Sequence, residues 1–310
     1  MKTLPSNIQK QLEKYHNDIR LTKQFIFDPR ENLNELNGSN DIADDTSIMK
    51  MDGLFQRYPT KVLVFPTESC FGECRFCFRK HIRKNKVLSS DEFKKIIEYI
   101  SSNTRINEVI FSGGDPMTID NARLMEMIKK IREIPSVEII RIHTRVLTYA
   151  PERIDQEFID FITTVQPLFM VFHIDSVLEV SDLAAEKAVS LANHGVSCFS
   201  QTALLSEVND STEDLSQLFI MLLTLRIKPY YLFHPDRVLG NDHFYLSLKK
   251  GIEIYKSLFN NISGLAMQIY LLYIPNGGGH CLVDLYNVME LDENKYRITD
   301  WQGKTQEYIE

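Results

Sequence analysis

Residues 61–79 read KVLVFPTESCFGECRFCFR, a short apolar run followed directly by a cluster of three cysteines. The run at 61–65 is rich in β-branched and aromatic residues, which predicts a buried strand. Cys70, Cys74 and Cys77 follow with three and then two residues between them. The sequence therefore places a chemically distinctive loop at the end of the first predicted strand.

From residue 61 onward, short apolar runs alternate with amphipathic stretches, which predicts βα units and a mostly parallel sheet. The predicted strands are at 61–65, 108–111, 137–142, 169–173, 197–202 and 230–233. The predicted helices that follow them are at 90–101, 120–134, 151–163, 182–194, 211–225 and 245–259. We expect an α/β fold whose sheet is a parallel βα barrel or part-barrel.

The residues before and after the alternating βα pattern do not follow that pattern. The predicted organisation is an N-terminal helical extension at 1–60, a core at 61–264 and a short β tail packed on it at 265–310. Within the tail we expect strands at 267–273 and 282–286, a hairpin turn at Glu293-Asn294 and a second bend near Gly303.

Composition excludes several classes of protein. The 310 residues include 35 Lys and Arg against 42 Asp and Glu, a formal net charge of −7 that argues against a nucleic-acid partner. No apolar run is long enough for a membrane helix, and the first residues lack a signal-peptide core, so we expect a cytoplasmic protein with no membrane partner.

The cysteine cluster indicates a metal or cluster site, because five cysteines are too few and too odd in number for a disulfide scaffold. A structural zinc site needs four ligands, and only His81 could complete the set locally. Three thiolates without a fourth protein ligand instead suit a 4Fe–4S cluster with one open iron. The cluster is the favoured interpretation, and a zinc-stabilised binding module is the alternative. The two other cysteines, Cys198 and Cys281, are predicted to be buried apolar residues.

Polar groups are predicted at the ends of several strands. Ser112-Gly113-Gly114-Asp115 ends the second strand, and its glycines allow a close approach of the backbone to a ligand. The further polar groups placed at strand ends are Arg141 and Arg145 on the third strand, His173 on the fourth and Gln201 on the fifth. Each could be a satisfied hydrogen-bonding residue, but their convergence predicts a ligand site.

The cysteine spacing, with Phe76 before the last cysteine, resembles the signature of radical S-adenosylmethionine (SAM) enzymes. The resemblance implies that Cys70, Cys74 and Cys77 hold a 4Fe–4S cluster and that SAM binds its fourth iron. Reductive cleavage of SAM then gives a 5′-deoxyadenosyl radical that abstracts hydrogen. The SAM-binding residues that it implies are Phe76, Ser112, Gly113, Gly114, Asp115, Arg141, His173 and Gln201.

A closer resemblance, over residues 50–310, is to lysine 2,3-aminomutase and its relatives. The runs that recur in order are 52–59 (DGLFQRYP), 77–79 (CFR), 112–115 (SGGD), 137–145 (VEIIRIHTR), 201–205 (QTALL), 228–231 (KPYY), 250–254 (KGIEI) and 275–279 (PNGGG). This resemblance implies a partial (β/α)6 barrel, and pyridoxal phosphate (PLP) bound as a Schiff base to a lysine after the Gly-rich run.

The resemblance also implies substrate-binding roles for four residues. Arg79 stands where the family pairs the substrate α-carboxylate, and Asp236 matches one of two aspartates that hold the substrate ammonium. Tyr273 occupies the position of the second aspartate, so that site is incomplete. Lys61 stands where the family has a phosphate-pairing arginine.

The main departure from the family is His280, which stands where the PLP lysine is expected. Imidazole cannot form an aldimine, so this position cannot anchor PLP covalently, and PLP is the cofactor that the sequence puts in question. The leading hypothesis is a radical SAM enzyme that takes hydrogen from a carboxylate-bearing, amino-acid-like molecule without Schiff-base PLP, with His280 as acid or base. A PLP-dependent aminomutase is the alternative.

Such an enzyme needs an electron donor such as flavodoxin or ferredoxin. The sequence leaves open whether the protein is a homo-oligomer.

Overall fold

The computed structural model describes residues 4–33, 35–82, 85–274, 278–283, 288–300 and 303–310. Its strands are β1 (Met49–Met51), β2 (Leu54–Tyr58), β3 (Lys61–Thr67), β4 (Glu108–Gly113), β5 (Ile139–Thr144), β6 (Leu168–His173), β7 (Ser197–Ala203), β8 (Ile227–Phe233), β9 (Ile269–Ile274), β10 (Gly279–Leu282), β11 (Val288–Asp292), β12 (Lys295–Thr299) and β13 (Thr305–Ile309). Its α-helices are α1 (Ser6–Lys14), α2 (Ile19–Phe25), α3 (Asp45–Ile48), α4 (Ser90–Ser102), α5 (Asn121–Arg132), α6 (Val146–Tyr149), α7 (Gln156–Thr164), α8 (Asp182–Asn193), α9 (Thr212–Thr224) and α10 (Leu248–Asn261).

Ten of these strands form one sheet in the order β1 to β10. Strands β3 to β9 are parallel, and the long connections between them contain α4, α5, α7, α8, α9 and α10 in turn. Among the described strands, β1 and β10 lie at opposite ends of the sheet and do not pair, so the sheet is not closed. The predicted partial barrel of six βα units is confirmed, with β9 as a seventh parallel strand.

The edges of the sheet differ from the sequence expectation. Residues 49–58 form β1 and β2, which pair antiparallel and extend the sheet, whereas a helical lead-in and loop were expected there. Their three and five residues are too short to show a clear alternation. Strand β9 pairs parallel with β8, so the segment expected to open the β tail belongs to the main sheet.

The remaining tail is a separate antiparallel sheet of β11, β12 and β13. The predicted turn at Glu293-Asn294 is confirmed, with Asn294 in the left-handed conformation at φ 60° and Gly303 at φ 80° before β13. The expected strand at 282–286 lies partly outside the described residues. The division of the chain at residues 60 and 264 stays a prediction.

Alternation along β5 determines which of its side chains face the cavity described below. Ile140 and Ile142 are fully buried, while Arg141 and His143 alternate with them and line the cavity. Because successive side chains of a strand point to opposite faces, a polar series inside a buried strand marks the inner wall of the barrel.

The N-terminal helices α1 and α2 belong to the core. Ile8 and Leu21 are fully buried, and the Lys23 ammonium, which is also buried, donates to the carbonyls of Ser206 and His243 at 2.9 and 2.7 Å. No helix within the described ranges has the length and apolar character needed to span a bilayer.

Candidate active site

One cavity of about 340 Å³ lies on the inner side of the sheet. All the residues predicted for the site line it. They are Lys61, Cys70, Cys74, Phe76, Cys77, Arg79, Ser112, Gly113, Gly114, Asp115, Arg141, His173, Gln201, Asp236, Tyr273 and His280. The fold thus brings them together, and their individual roles stay predictions.

The cysteine loop and the glycine turn are joined by backbone hydrogen bonds. The Gly114 amide donates to the Thr67 carbonyl at 3.0 Å, and the Asp115 amide donates to the Ser69 carbonyl at 2.8 Å. A Cβ at Gly114 would lie 2.1 Å from the Ser69 carbonyl oxygen, so the close approach requires glycine. The turn therefore fixes the entrance to the cysteine loop.

Asp115 has a different environment from the one expected of a ligand-binding carboxylate. It is buried and accepts hydrogen bonds from the Thr144 hydroxyl at 2.7 Å and from the backbone amides of Arg145 and Met117 at 2.8 and 3.0 Å. Its carboxylate thus ties the end of β4 to the end of β5, and its side chain serves to position the turn.

The sulfur of Cys74 contacts two polar side chains. The Arg145 guanidinium donates to its Sγ at 2.8 Å, and the Tyr149 hydroxyl lies 3.1 Å from it. Burial raises the pKa of the Cys74 thiol, and the charge of Arg145 acts in the opposite direction. A cation and a hydroxyl at one sulfur favour the thiolate, which is the form that binds iron.

The three cysteines fit a cluster better than they fit a zinc site. All three line the same cavity, and none of them forms a disulfide. The expected fourth zinc ligand, His81, has its Nε2 at 2.8 Å from the Leu239 carbonyl. Among the described residues, no three His, Cys, Asp or Glu side chains converge as ligands of a single metal ion.

Arg141 was predicted at the carboxyl end of its strand, and this prediction was wrong. It is the third residue of β5, and its Nε lies 2.5 Å from a carboxylate oxygen of Glu108 on β4. Glu108 in turn pairs in register with Lys61. Arg141 thus belongs to a charged group at the amino-terminal ends of the strands, away from the strand ends that carry the cysteine loop and glycine turn.

His173 and Gln201 pair in register on β6 and β7. The His173 ring contacts Phe76 edge-on with centroids 5.7 Å apart, and its Nε2 lies 3.1 Å from an oxygen of Asp175. Phe76 lies in the cysteine loop, so this ring contact joins His173 to that loop.

Arg79 is engaged by a carboxylate that the sequence analysis did not identify. Its Nε and Nη2 donate to the two oxygens of Asp45 at 2.5 and 3.3 Å, and both side chains are largely buried. The guanidinium also lies 4.3 Å from the ring centre of Phe78. Asp45 lies on α3 in the expected N-terminal extension, where nothing in the sequence distinguishes it from the neighbouring Asp41 and Asp44.

Asp236 is half-buried and lies close enough to this guanidinium for the charge to act on it. Burial raises the pKa of its carboxyl to about 7, and the charge of Arg79 acts to lower it. Tyr273, which takes the place of a second carboxylate, donates its hydroxyl to the Ala43 carbonyl at 3.0 Å. The acidic groups at this end of the cavity are therefore Asp236 and Asp45.

His280 lies on β10 between two aromatic rings, with its centroid 5.3 Å from Phe233 and 5.1 Å from Tyr273. Burial, together with the nearby cations Lys61 and Arg57, lowers its pKa to about 4. The imidazole is thus neutral near pH 7 and can accept a proton but cannot donate one as an imidazolium. Of the Gly-rich run before it, residues 275–277 lie outside the described residues.

His143 also lines the cavity, although the sequence predicted no role for it. It is partly buried on β5, and its buried Nε2 has no hydrogen-bond partner in the described part of the chain. Burial and neighbouring cations lower its pKa well below the usual value. The alternation of Arg141, His143 and Arg145 along one strand was the signal that could have identified it.

The matches to known proteins show the family of the chain. Residues 64–179 match the model of the Radical SAM superfamily. The chain is 33% identical to the putative L-lysine 2,3-aminomutase of Aquifex aeolicus over 259 residues, which cover 83% of this chain and 70% of that protein. The chain belongs to the lysine 2,3-aminomutase family of radical SAM proteins. This confirms the resemblance drawn from the sequence.

Two further members of the family show its range. L-lysine 2,3-aminomutase of Fusobacterium nucleatum is 33% identical over 83% of this chain and 61% of its own length. Glutamate 2,3-aminomutase of Clostridioides difficile is 30% identical over 80% of this chain and 60% of its own length. The chain thus spans about 60 to 70% of the length of these curated relatives.

Solved structures support the fold. SuiB of Streptococcus suis bound to S-adenosylmethionine superposes with a TM-score of 0.53 at 13% identity, over 70% of this chain and 51% of that one. The chain accordingly has the fold of the radical SAM proteins.

Proposed function

We propose that this family member takes a hydrogen atom from a carboxylate-bearing, amino-acid-like molecule without a Schiff base to PLP. The observation that carries the proposal is His280, which lies in the same cavity as the three cysteines and stands where the family has its PLP lysine. A neutral imidazole offers PLP no amine.

The cysteine loop is the proposed initiating site. Cys70, Cys74 and Cys77 would hold the cluster, and the backbone of the glycine turn together with His173 and Gln201 would bind SAM beside it. When bound and reduced, a 4Fe–4S cluster with SAM supplies a carbon radical that removes hydrogen from a substrate.

The part of the cavity around Arg79, Asp236 and His280 is the proposed substrate site. Arg79 presents a planar guanidinium suited to a carboxylate, and Asp45 already occupies it in a two-point ion pair. A substrate carboxylate must share or displace Asp45. Asp236, when ionised, would pair with an ammonium group of the substrate. His280 lies near Arg79 and is placed to accept a proton in its neutral form.

One observation favours the alternative, a PLP-dependent aminomutase. The cavity lining includes a lysine, Lys61, and burial lowers the pKa of its amine. A desolvated amine is the form that attacks an aldehyde. Borohydride reduction after PLP addition, followed by peptide mass analysis, separates the two proposals. A pyridoxyl adduct on Lys61, or PLP that stays with the unmodified chain through gel filtration, would support the alternative. An unmodified chain that retains no PLP supports the PLP-independent proposal.

The cysteine assignment is tested by a matched pair of alanine variants. We expect Cys74→Ala to lose iron and all reductive SAM cleavage after anaerobic reconstitution, because one cluster ligand is absent. Cys198→Ala, which removes a buried cysteine on β7, should retain both. Equal iron content in the two variants would remove the ligand assignment.

The proposed partners follow from this chemistry. The cluster needs a one-electron donor, for which a flavodoxin or ferredoxin is suited. The substrate would bear a carboxylate, as amino acids do.

A further inference from the structure

The surroundings of Cys74 imply more than ligation. Two side chains from one short segment reach its sulfur, the Arg145 Nη1 at 2.8 Å and the Tyr149 hydroxyl at 3.1 Å. Metal binding requires the thiol to lose its proton. The sulfur then has no hydrogen to give, and both contacts are donated to it.

Arg145 is fixed in this position by a set of buried partners. Its Nη2 donates to Glu179 at 2.8 Å and to the side-chain oxygen of Gln24 at 2.5 Å, and it lies 3.2 Å from Asp175. Its backbone amide is held by Asp115. The guanidinium is therefore not free to turn away from the sulfur.

Tyr149 is fixed by packing. Its side chain is almost fully buried, and its ring lies against the cysteine loop at Gly72, where an added Cβ would come within 2.6 Å of a ring carbon. The loop and the ring thus fit together only because residue 72 is glycine. This second contact places Tyr149 at the cysteine loop independently of the hydrogen bond.

We propose that Arg145 and Tyr149 are positioning residues that raise the reduction potential of the cluster through Cys74. The inference rests on the proposed cluster site. Hydrogen bonds to a ligating sulfur and a nearby positive charge both stabilise the form that carries the extra electron. The step is a one-electron transfer: an external reductant loses one electron, the cluster gains it, and no proton moves and no bond to Cys74 breaks.

The test compares two tyrosine-to-phenylalanine variants. Tyr149→Phe removes only the hydroxyl at Cys74. Tyr99→Phe is the control, since Tyr99 lies on α4 and its hydroxyl donates to the side-chain oxygen of Gln56 on β2 at 2.6 Å. The midpoint potential of each reconstituted protein is measured by an anaerobic dithionite titration followed by electron paramagnetic resonance.

We expect the midpoint of Tyr149→Phe to become more negative, with the reduction equilibrium weakened by a factor of about five to ten. A tenfold change corresponds to about 59 mV for a one-electron couple. Tyr99→Phe should match the wild type. An unchanged midpoint in Tyr149→Phe at normal iron content would overturn the inference.

Two further results would show that the cluster site or the variant, rather than the inference, has failed. A wild-type protein that binds no iron would overturn the proposed cluster site, and no midpoint would then exist to compare. If Tyr149→Phe fails to load iron, Arg145→Lys provides the second test, because it keeps a cation beside Glu179 but shortens the reach to the sulfur. Its midpoint must also be more negative, and a wild-type value would overturn the inference.

Discussion

At the residue scale, the chemistry of the cavity depends on how burial acts on its ionisable groups. His280 is held neutral by burial and by neighbouring cations, with a pKa near 4. The pKa of Asp236 is raised to about 7, because desolvation of its carboxylate outweighs the charge of Arg79, which acts to lower it. The cavity therefore holds a neutral base and a carboxyl group that titrates near neutral pH.

The raised pKa of Asp236 predicts how the stability of the fold depends on pH. Its folded-state pKa of about 7 lies above its usual value of 3.8, so folding favours the protonated form. The stability that this form contributes is complete below pH 3.8 and is lost as the pH rises through 7. The loss is up to roughly 4 kcal/mol, at about 1.4 kcal/mol for each tenfold change in the protonation equilibrium.

We therefore expect Asp236→Asn, which cannot ionise, to gain stability over the wild type as the pH rises from 4 to 8. The measurement is urea unfolding of both proteins across that range under identical salt conditions. Parallel stability curves for the two proteins would show that Asp236 titrates normally.

The residues also show what a sequence can reveal about a site. The cysteines, the glycine turn and His280 are recognisable because their types and spacing are unusual. Asp45 was not recognisable, since its role depends on a contact with Arg79 across 34 positions of the chain. Arg141 was misplaced because the end of β5 could not be fixed from the sequence to within a few residues.

At the element scale, α3 and the residues before it form a strap across the cavity, comprising residues 41–48. Ile42, Ala43, Asp45 and Ile48 of the strap line the cavity. The chain before the strap is held at Ser39, whose amide donates to the Arg237 carbonyl at 2.9 Å beside Asp236. The chain after it enters β1. The strap thus joins two elements of the site.

The Asp45 ion pair is expected to hold this strap closed. Asp45→Asn removes a buried, charge-assisted contact, which typically contributes about 1.5 to 3 kcal/mol. We expect amide hydrogen exchange in residues 41–48 to accelerate about tenfold or more. Asp52→Asn is the control, because its ion pair with Lys86 is mostly exposed and contributes little. Similar exchange in the two variants would mean that other contacts hold the strap.

Elements differed in how well the sequence predicted them. The six βα units were predicted because each strand is apolar and each helix has a long periodic face. The strands β1 and β2 were missed, since short strands at a sheet edge gain their stability from pairing rather than from their own composition. Strand β9 was predicted as a strand, but its partner could not be read from local sequence.

At the scale of the whole molecule, the N-terminal segment, the barrel and the cysteine site are one packed unit. The Asn7 side chain donates to the Thr148 carbonyl at 2.7 Å, and that of Gln11 donates to the Leu178 carbonyl at 2.8 Å. The Gln24 carbonyl accepts from the Arg75 amide in the cysteine loop at 2.8 Å. The helices α1 and α2 therefore support the loop that carries the site.

This packing predicts the effect of deleting residues 1–28. The deletion uncovers apolar side chains, including Ile8 and Leu21, and removes the Gln24 contacts to the cysteine loop and to Arg145. We expect a lower melting temperature and a loss of cluster loading together. A shortened protein with an unchanged melting temperature would show that this segment is an independent extension.

The central claim is that this member of the family carries out hydrogen abstraction without PLP. The most direct test adds dithionite and SAM to the anaerobically reconstituted protein with a panel of deuterated amino acids, with and without PLP. Deuterium is then measured in 5′-deoxyadenosine and in SAM. The account predicts transfer from an amino acid in the absence of PLP, whereas transfer only in the presence of PLP would contradict it.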